Sequence, residues 1–285
     1  MMRLICVAGS IALAIAWSRP LSAQWAPYPT PGVPRTADGK PNLDAPMPRT
    51  ADGKPDLSGL WGRAAVGGAG RGGRQGGAAA TAPPPPAGTP PVATFFDVGA
   101  GFPEGLPFQP WAAELKKQRN AANSKDNPDA LCLPMGHMQF HMHGQPRRIM
   151  QQPGLIAIMY EANYGLRSIF TDGRPLPPNG EPQPWWYGYS VGKWDGDTLL
   201  VETNNLKDDG WLDVRGSPLT DQARITERFR RVGFGRLEID ITIDDPKAYT
   251  KPFTVRVNQQ ILVDTEMIEF ICNENQQFLK RVQVK

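Results

Sequence analysis

The sequence predicts a mainly β protein: an antiparallel meander closing into a lipocalin-like up-and-down barrel, with one short helix and a disordered N-terminal leader. A β-sandwich is the second choice. Three observations carry the prediction. From Met135 onward the chain is a succession of roughly eight to ten short apolar or alternating runs. Leu237, Ile239, Ile241 and Ile243 alternate with Glu238, Asp240, Thr242 and Asp244, the period of a half-buried strand. Asp195-Gly196 and Gly233-Phe234-Gly235 each stand between two such runs, where hairpin turns belong. A meander must cover its edges or close on itself, which favours a barrel.

Residues 1–23 have the form of a secretory signal peptide: Arg3, an apolar run from Leu4 to Trp17, and the small-residue site Leu21-Ser22-Ala23. That run is too short for a membrane span, so none is expected after cleavage, and the mature chain is placed in the periplasm or beyond. Removing Arg3 and Arg19 from the 31 basic side chains leaves 29 against 28 acidic ones. Such a balance gives no basis for nucleic acid or an anionic membrane as partner. Loss of Cys6 leaves Cys132 and Cys272, which in an oxidising compartment are most simply a disulfide. The alternative makes Cys132 a metal ligand.

Residues 24–62 are Pro-rich and carry a repeat: the segment Pro34 to Leu43 recurs as Pro48 to Leu57, each copy punctuated by Asp-Gly and Lys-Pro turn formers. Two copies are too few for a solenoid, so a local duplication is expected. Ser58-Gly59-Leu60-Trp61 could be the first anchored residues of the domain. Residues 63–93 are a Gly/Pro-rich linker, too poor in apolar groups to offset its ordering entropy. The domain proper is expected over 94–285. Within it, Pro110 to Asn123 reads as a surface helix ended by Asn127-Pro128. Strands are expected over Leu155–Glu161, Tyr164–Thr171, Tyr189–Trp194, Thr198–Asn204, Arg224–Val232, Arg236–Asp244, Phe253–Val263 and Met267–Cys272, with a last one over Phe278–Val284.

The blocks PRTADGKPDLSGLW, FTDGRPLP, GYSVGKWDGDTLLVET, ITERFRR and TIDDPKAYTKPF occur between residues 48 and 253. Together they resemble those of a family of uncharacterised secreted bacterial proteins common in soil acidobacteria. The resemblance implies an exported β-rich domain and carries no activity with it.

Chemistry is sought first in Cys132 to Arg148, CLPMGHMQFHMHGQPRR, which holds all three histidines of the chain. Read with period two, His137, Gln139, His141 and His143 share one face of an extended segment, with Met138, Phe140 and Met142 on the other. Two imidazoles at i and i+2 could converge on one ion, zinc or, beside thioethers, copper, with Glu161 completing the set. The His-x-His pair echoes the cupins, but Arg147 and Arg148 stand where a glutamate is needed. The other reading of the histidines is hydrogen bonding within a polar barrel wall.

A second candidate is acid–base work by carboxylates. Glu227 shares its face with Ile225 and Phe229, where burial would raise its pKa towards neutrality. Glu202 follows Leu200 in the same way, Glu161 ends an apolar run, and Arg167, Arg174 and Arg228 are the available cations. Each such pair could instead be a Glu–Arg contact that fixes register. A third candidate is plain binding: Trp185, Trp186, Tyr187, Tyr189, Trp194 and Trp211 could form an aromatic barrel mouth for a flat ligand. No Gly-rich phosphate loop stands in strand–helix context and no nucleophile elbow occurs. The sequence thus points to an exported barrel that binds, and could convert, a small organic ligand. A metal-dependent enzyme and a filled structural barrel are the alternatives.

Overall fold

A computed structural model of the chain describes residues 29–64, 88–181 and 183–274. The signal-peptide reading, most of the linker and the strand expected at 278–284 lie outside them. The elements in chain order are β1 (Gly59–Arg63), α1 (Pro110–Ala121), α2 (His137–Met142), β2 (Arg147–Gln152), β3 (Leu155–Tyr160), β4 (Leu166–Phe170), β5 (Tyr189–Asp195), β6 (Thr198–Asn204), β7 (Gly210–Trp211), β8 (Pro218–Leu219), β9 (Arg224–Arg231), β10 (Arg236–Asp244) and β11 (Phe253–Ile261).

Nine strands close into one barrel in the order β1-β11-β10-β9-β6-β5-β4-β3-β2, and β2 returns to β1. β7 and β8 form a separate two-stranded piece. The alternation of β10 does what its pattern predicts: Leu237, Ile239, Ile241 and Ile243 are wholly buried, each contributing roughly 1.5–3 kcal/mol by leaving water. On the outer face Asp240 accepts two hydrogen bonds from Arg256 of β11, at 2.6 and 2.8 Å, and one from Arg230 of β9 at 3.2 Å. Such cross-strand pairs hold the register while the apolar face supplies the driving force. Both hairpin turns expected from sequence join the strands they flank, β5 to β6 and β9 to β10.

The barrel is not a pure up-and-down meander. β4 and β5 pair in parallel, through Ile169–Ser190 and Phe170–Val191. A parallel neighbour cannot be reached by a tight hairpin, and the long Pro-rich loop between these strands makes the return crossing. Gly188 ends that loop at φ +64°, and a Cβ there would lie 2.6 Å from the Asn204 carbonyl, so only glycine lets the loop close onto β6. The barrel is also not confined to 94–285. β1 precedes the linker, and Trp61 within it is wholly buried, its indole N–H donating to Leu57 O at 2.9 Å. The strand expected over Met267–Cys272 is absent; that segment is an irregular tail laid over the barrel.

The two sequence repeats fold alike. In each, an Asp-Gly turn with its glycine at φ +79° or +77° closes a small loop, bridged Arg35–Pro41 in the first copy and Arg49–Pro55 in the second. Each loop is then fixed through its arginine, Arg35 to Asp264 just beyond β11 at 2.6 Å and Arg49 to Asp197 in the β5–β6 turn at 2.7 Å. The duplication thus supplies two similar clips. α1 begins at Pro110, which needs no amide partner there, and is fixed by Trp111 donating to Lys247 O at 2.8 Å. Cys132 and Cys272 are joined in a disulfide across 140 residues. Among the described residues no helix is long and apolar enough to cross a membrane.

Candidate functional site

The histidine stretch is helical, not extended. His137–Met142 form α2, and His143 is its C-cap. The same letters satisfy a spacing of four as well as of two, since His137 pairs with His141 and Met138 with Met142. All six side chains of α2 are buried, so the polar–apolar contrast that would identify the period is missing. Helical geometry puts His137 and His141 on one side, with rings 5.9 Å apart, and sends His143 elsewhere. The His143 ring packs edge-on against Phe95 at 4.9 Å, and its Nδ1 accepts the Gln145 amide. The three-histidine set does not converge. Among the described residues no group of three or more His, Cys, Asp or Glu is arranged to hold a metal ion.

α2 lies against the inside of the barrel, where its histidines meet Glu227. Glu227 points inward from β9 as its apolar neighbours predict, and is wholly buried. His141 Nε2 lies 2.9 Å from Glu227 Oε1, and His137 Nε2 lies 3.9 Å from Oε2. Arg167 comes from β4, inward beside Ile169, and grips both carboxylate oxygens: Nη1 donates to Oε1 at 3.1 Å and Nη2 to Oε2. Its remaining donors go to Ser190 Oγ at 3.1 and 3.2 Å and to Thr203 Oγ1 at 3.0 Å. This guanidinium has every nitrogen engaged, in the bidentate fork that makes Arg–carboxylate pairs strong.

The electrostatics reverse one expectation. Burial pushes the Glu227 carboxyl up, but the charge of Arg167, helped by the hydrogen bond from His141, overcomes it and holds the group well below its ordinary value. Glu227 is therefore an anion and a poor base near neutrality. Burial, then Arg167, keeps His137 well below its ordinary value, and burial keeps His141 below its own against the pull of Glu227. Both imidazoles are neutral at pH 7. A carboxylate can only accept, so the proton of His141 sits on Nε2 and leaves Nδ1 as an acceptor. That nitrogen is buried without a hydrogen-bond partner, whereas the His137 ring is placed between Glu227 and the Tyr187 main chain. Chemically, an anion that fixes the tautomer and orientation of an imidazole leaves its far nitrogen able to take a proton.

Two further inward residues escaped the sequence reading. Arg147 and Tyr160 face each other across β2 and β3 and are fully buried. Tyr160 stacks on Phe140 of α2 at 4.5 Å, and burial pushes its phenol up to about 12. Arg147 donates to the carbonyls of His141 and His143 at the end of α2, and Gln259 of β11 adds a 3.4 Å bond to His141 O. The carbonyl end of a helix offsets roughly 0.3–2 kcal/mol of a cation's cost, whereas an unpaired buried ion costs several. Burial accordingly pulls the Arg147 guanidinium down to about 10. Arg147 shares its inward face with Ile149, the same signal that marked Glu227.

The other expected site residues are dispersed. The carboxylate of Glu161 accepts the Ile268 amide at 3.0 Å and a Gln145 side-chain bond at 3.4 Å, so it anchors the C-terminal tail. Glu202 and Leu200 do share a face, but it is the outer one, where Glu202 meets Arg224 at 3.3 Å. Arg228 is also outside, 3.7 Å from Asp195. Arg174 pairs with Asp172 and donates to Tyr189 Oη at 3.2 Å, and Trp185 and Phe170 pack beside Tyr189. Trp194 lies in a different groove, near Lys54. Only Trp186 and Trp211 share a groove, of about 790 Å³, with Leu115, Arg119 and Lys207. Its floor adjoins α2, since Gln139 donates to Trp211 O at 2.9 Å. The aromatic residues therefore form no single mouth.

Comparison with known protein families, curated proteins and solved structures returned no match.

The histidines carry a pH dependence. Their folded pKa values lie below the unfolded value of 6.5, so the unfolded chain binds more protons as pH falls through that value, and stability drops on acidification. The slope between pH 7.5 and 5 should reach about 1.4 kcal/mol per pH unit for each histidine. Urea midpoints across that range should show it in the wild type and in His143→Gln, and should lose it in His137→Gln/His141→Gln. A flat wild-type profile would contradict the buried neutral assignment.

Proposed function

We propose that this chain is an exported barrel protein that binds a small organic ligand at the α2 end of the barrel and converts it by proton transfer. The observation that carries the reading is Nδ1 of His141, a buried imidazole nitrogen without a hydrogen-bond partner on a ring that meets the ionised Glu227. A buried polar atom without a partner costs about 1–3 kcal/mol, and such atoms concentrate where a guest or a reacting group completes the bonding. His141 Nδ1 is the base, Glu227 holds its tautomer and steadies the imidazolium that forms, and Arg167 fixes Glu227. The Trp186–Trp211 groove outside α2 is the approach. Export is supported by the Cys132–Cys272 disulfide, the form of residues 1–23 and the resemblance to secreted bacterial proteins.

The test is a small-molecule screen by thermal shift, followed by NMR of each bound compound in D2O with the protein. The reading expects deuterium incorporation, or a product, with the wild type and none with His141→Asn, which leaves the Glu227–Arg167 pair in place. A ligand bound without exchange or conversion would make this a binding protein. No bound ligand at all would leave a barrel filled for structural reasons alone.

A further inference from the structure

Among the described residues three arginines are buried, and the structure treats them differently. Arg167 has the carboxylate of Glu227 and two hydroxyls. Arg231, at the rim, has no carboxylate, but all three of its guanidinium nitrogens are bonded to backbone carbonyls and it lies over Trp61 at 5.0 Å. Arg147 alone has neither device. Among the described residues it makes no ion pair, and its Nε is buried without a hydrogen-bond partner. All 28 acidic residues of the chain lie among the described residues, so no Asp or Glu elsewhere in the sequence can supply the missing charge. Its Nη1 and Nη2 donate to carbonyls at the end of a six-residue helix, which carry only partial charge and leave Nε unengaged. Arg63 adds a further positive charge from β1.

The neighbours of Arg147 point the same way. Tyr160 stands directly opposite on β3, and the neighbour of its Oη is the Arg167 guanidinium, which can only donate and so leaves the phenol proton without an acceptor. Gln259, bonded like Arg147 to His141 O, keeps its Oε1 unpartnered. The cluster's charged groups are two cations, Arg147 and Arg167, and one anion, Glu227, with both histidines neutral. One positive charge is left over in a place sheltered from water. Its two unpartnered donors, Arg147 Nε and Tyr160 Oη, lie on facing strands.

Building on the proposed ligand site, we infer that its ligand is a small organic carboxylate, whose anion pairs with Arg147 and accepts from Tyr160. A carboxylate offers two acceptor oxygens in one plane, the complement of a guanidinium edge and a phenol hydroxyl. Gln259 Oε1 would accept a donor group of the same molecule. Because Arg147 is bonded to the main chain of His141, the anion site and the base belong to one residue's two ends.

The experiment is calorimetric titration of the full mature chain at pH 7.5 with acetate, benzoate and succinate, each beside its neutral amide. The inference expects at least one carboxylate to bind at least about tenfold more tightly than its amide, the difference expected for a hydrogen bond to a charged group. Tyr160→Phe, which keeps the stack on Phe140, should weaken that carboxylate by about tenfold with little change in melting temperature. Arg147→Met should abolish the preference, and Tyr160→Phe keeps the idea testable should that variant fail to fold. Amides binding as well as the acids, or no effect of Tyr160→Phe, would overturn the carboxylate assignment while leaving a ligand site standing. Failure of all six probes, with neutral compounds bound in the screen, would do the same. Failure of all six with nothing bound in the screen would remove both readings.

Discussion

Glu227→Gln should destabilise the fold by roughly 3–5 kcal/mol, the cost of breaking a buried ion pair from one side. The substitution keeps the shape of the side chain and removes only its charge. Arg167 would then stand wholly buried with two hydroxyls and an amide oxygen around a full positive charge. The hydroxyls of Ser190 and Thr203 can accept hydrogen bonds but cannot neutralise, and burial in the barrel denies the guanidinium its hydration. His141 would lose the anion that fixes its tautomer as well. The measurement is the urea midpoint of the variant at pH 7.5. Replacing both partners, as Glu227→Leu with Arg167→Met, should recover most of the loss, because two apolar groups of similar volume owe nothing to solvent. A single variant within about 1 kcal/mol of the wild type would mean that the pair is not buried as described. Glu227→Gln is consequently a poor probe of catalysis, and His141→Asn the better one.

Removing the disulfide should have an effect of similar size by a different route. Cys132→Ser with Cys272→Ser opens a link across 140 residues, for which chain-entropy estimates give roughly 3–5 kcal/mol. The bridge joins the turn before α2 to the irregular tail after β11. Its other contacts include the ion pairs Asp264 to Arg35 and Glu266 to Arg148, the reciprocal bonds of Asp264 with Thr30, and the Ile268 amide to Glu161. The first two are partly exposed ion pairs, each worth about 0–1 kcal/mol, so without the bridge the tail should detach before the barrel melts. Limited proteolysis should cut between 265 and 274 in the double variant and in the reduced wild type, and spare the oxidised wild type. Equal protection in all three would show that the tail is held without the covalent link.

The barrel was legible where one face is dry and the other wet. β10 alternates without a break, Asp195-Gly196 marks the β5–β6 hairpin, and Glu227 stands between Ile225 and Phe229 on the dry side of β9. Legibility failed where that contrast vanishes. α2 is buried on every side, so its histidines and methionines fit two periods equally well. Glu202 sits on a face with Leu200, but nothing local says that this face is the outer one. Inward Arg147 and Tyr160 carried the same alternation as Glu227, yet an arginine on an apolar face reads as a surface residue until its partner strand is known. The pairing of Arg167 with Glu227 spans 60 residues. It depends on how β4 closes against β5 in parallel, a choice made by barrel geometry and the loop after Phe170 rather than by any short stretch of sequence.

The histidines themselves offer the most direct measurement. The chain has three, so ring-15N-labelled protein gives three resolvable imidazoles. Followed by NMR from pH 8 to pH 5, His137 and His141 should stay neutral as pH falls through 6.5, with the proton of His141 on Nε2 facing Glu227. Signals from both that protonate near 6.5, or a His141 proton on Nδ1, would contradict the buried Glu227–Arg167–histidine cluster on which the proposed function rests.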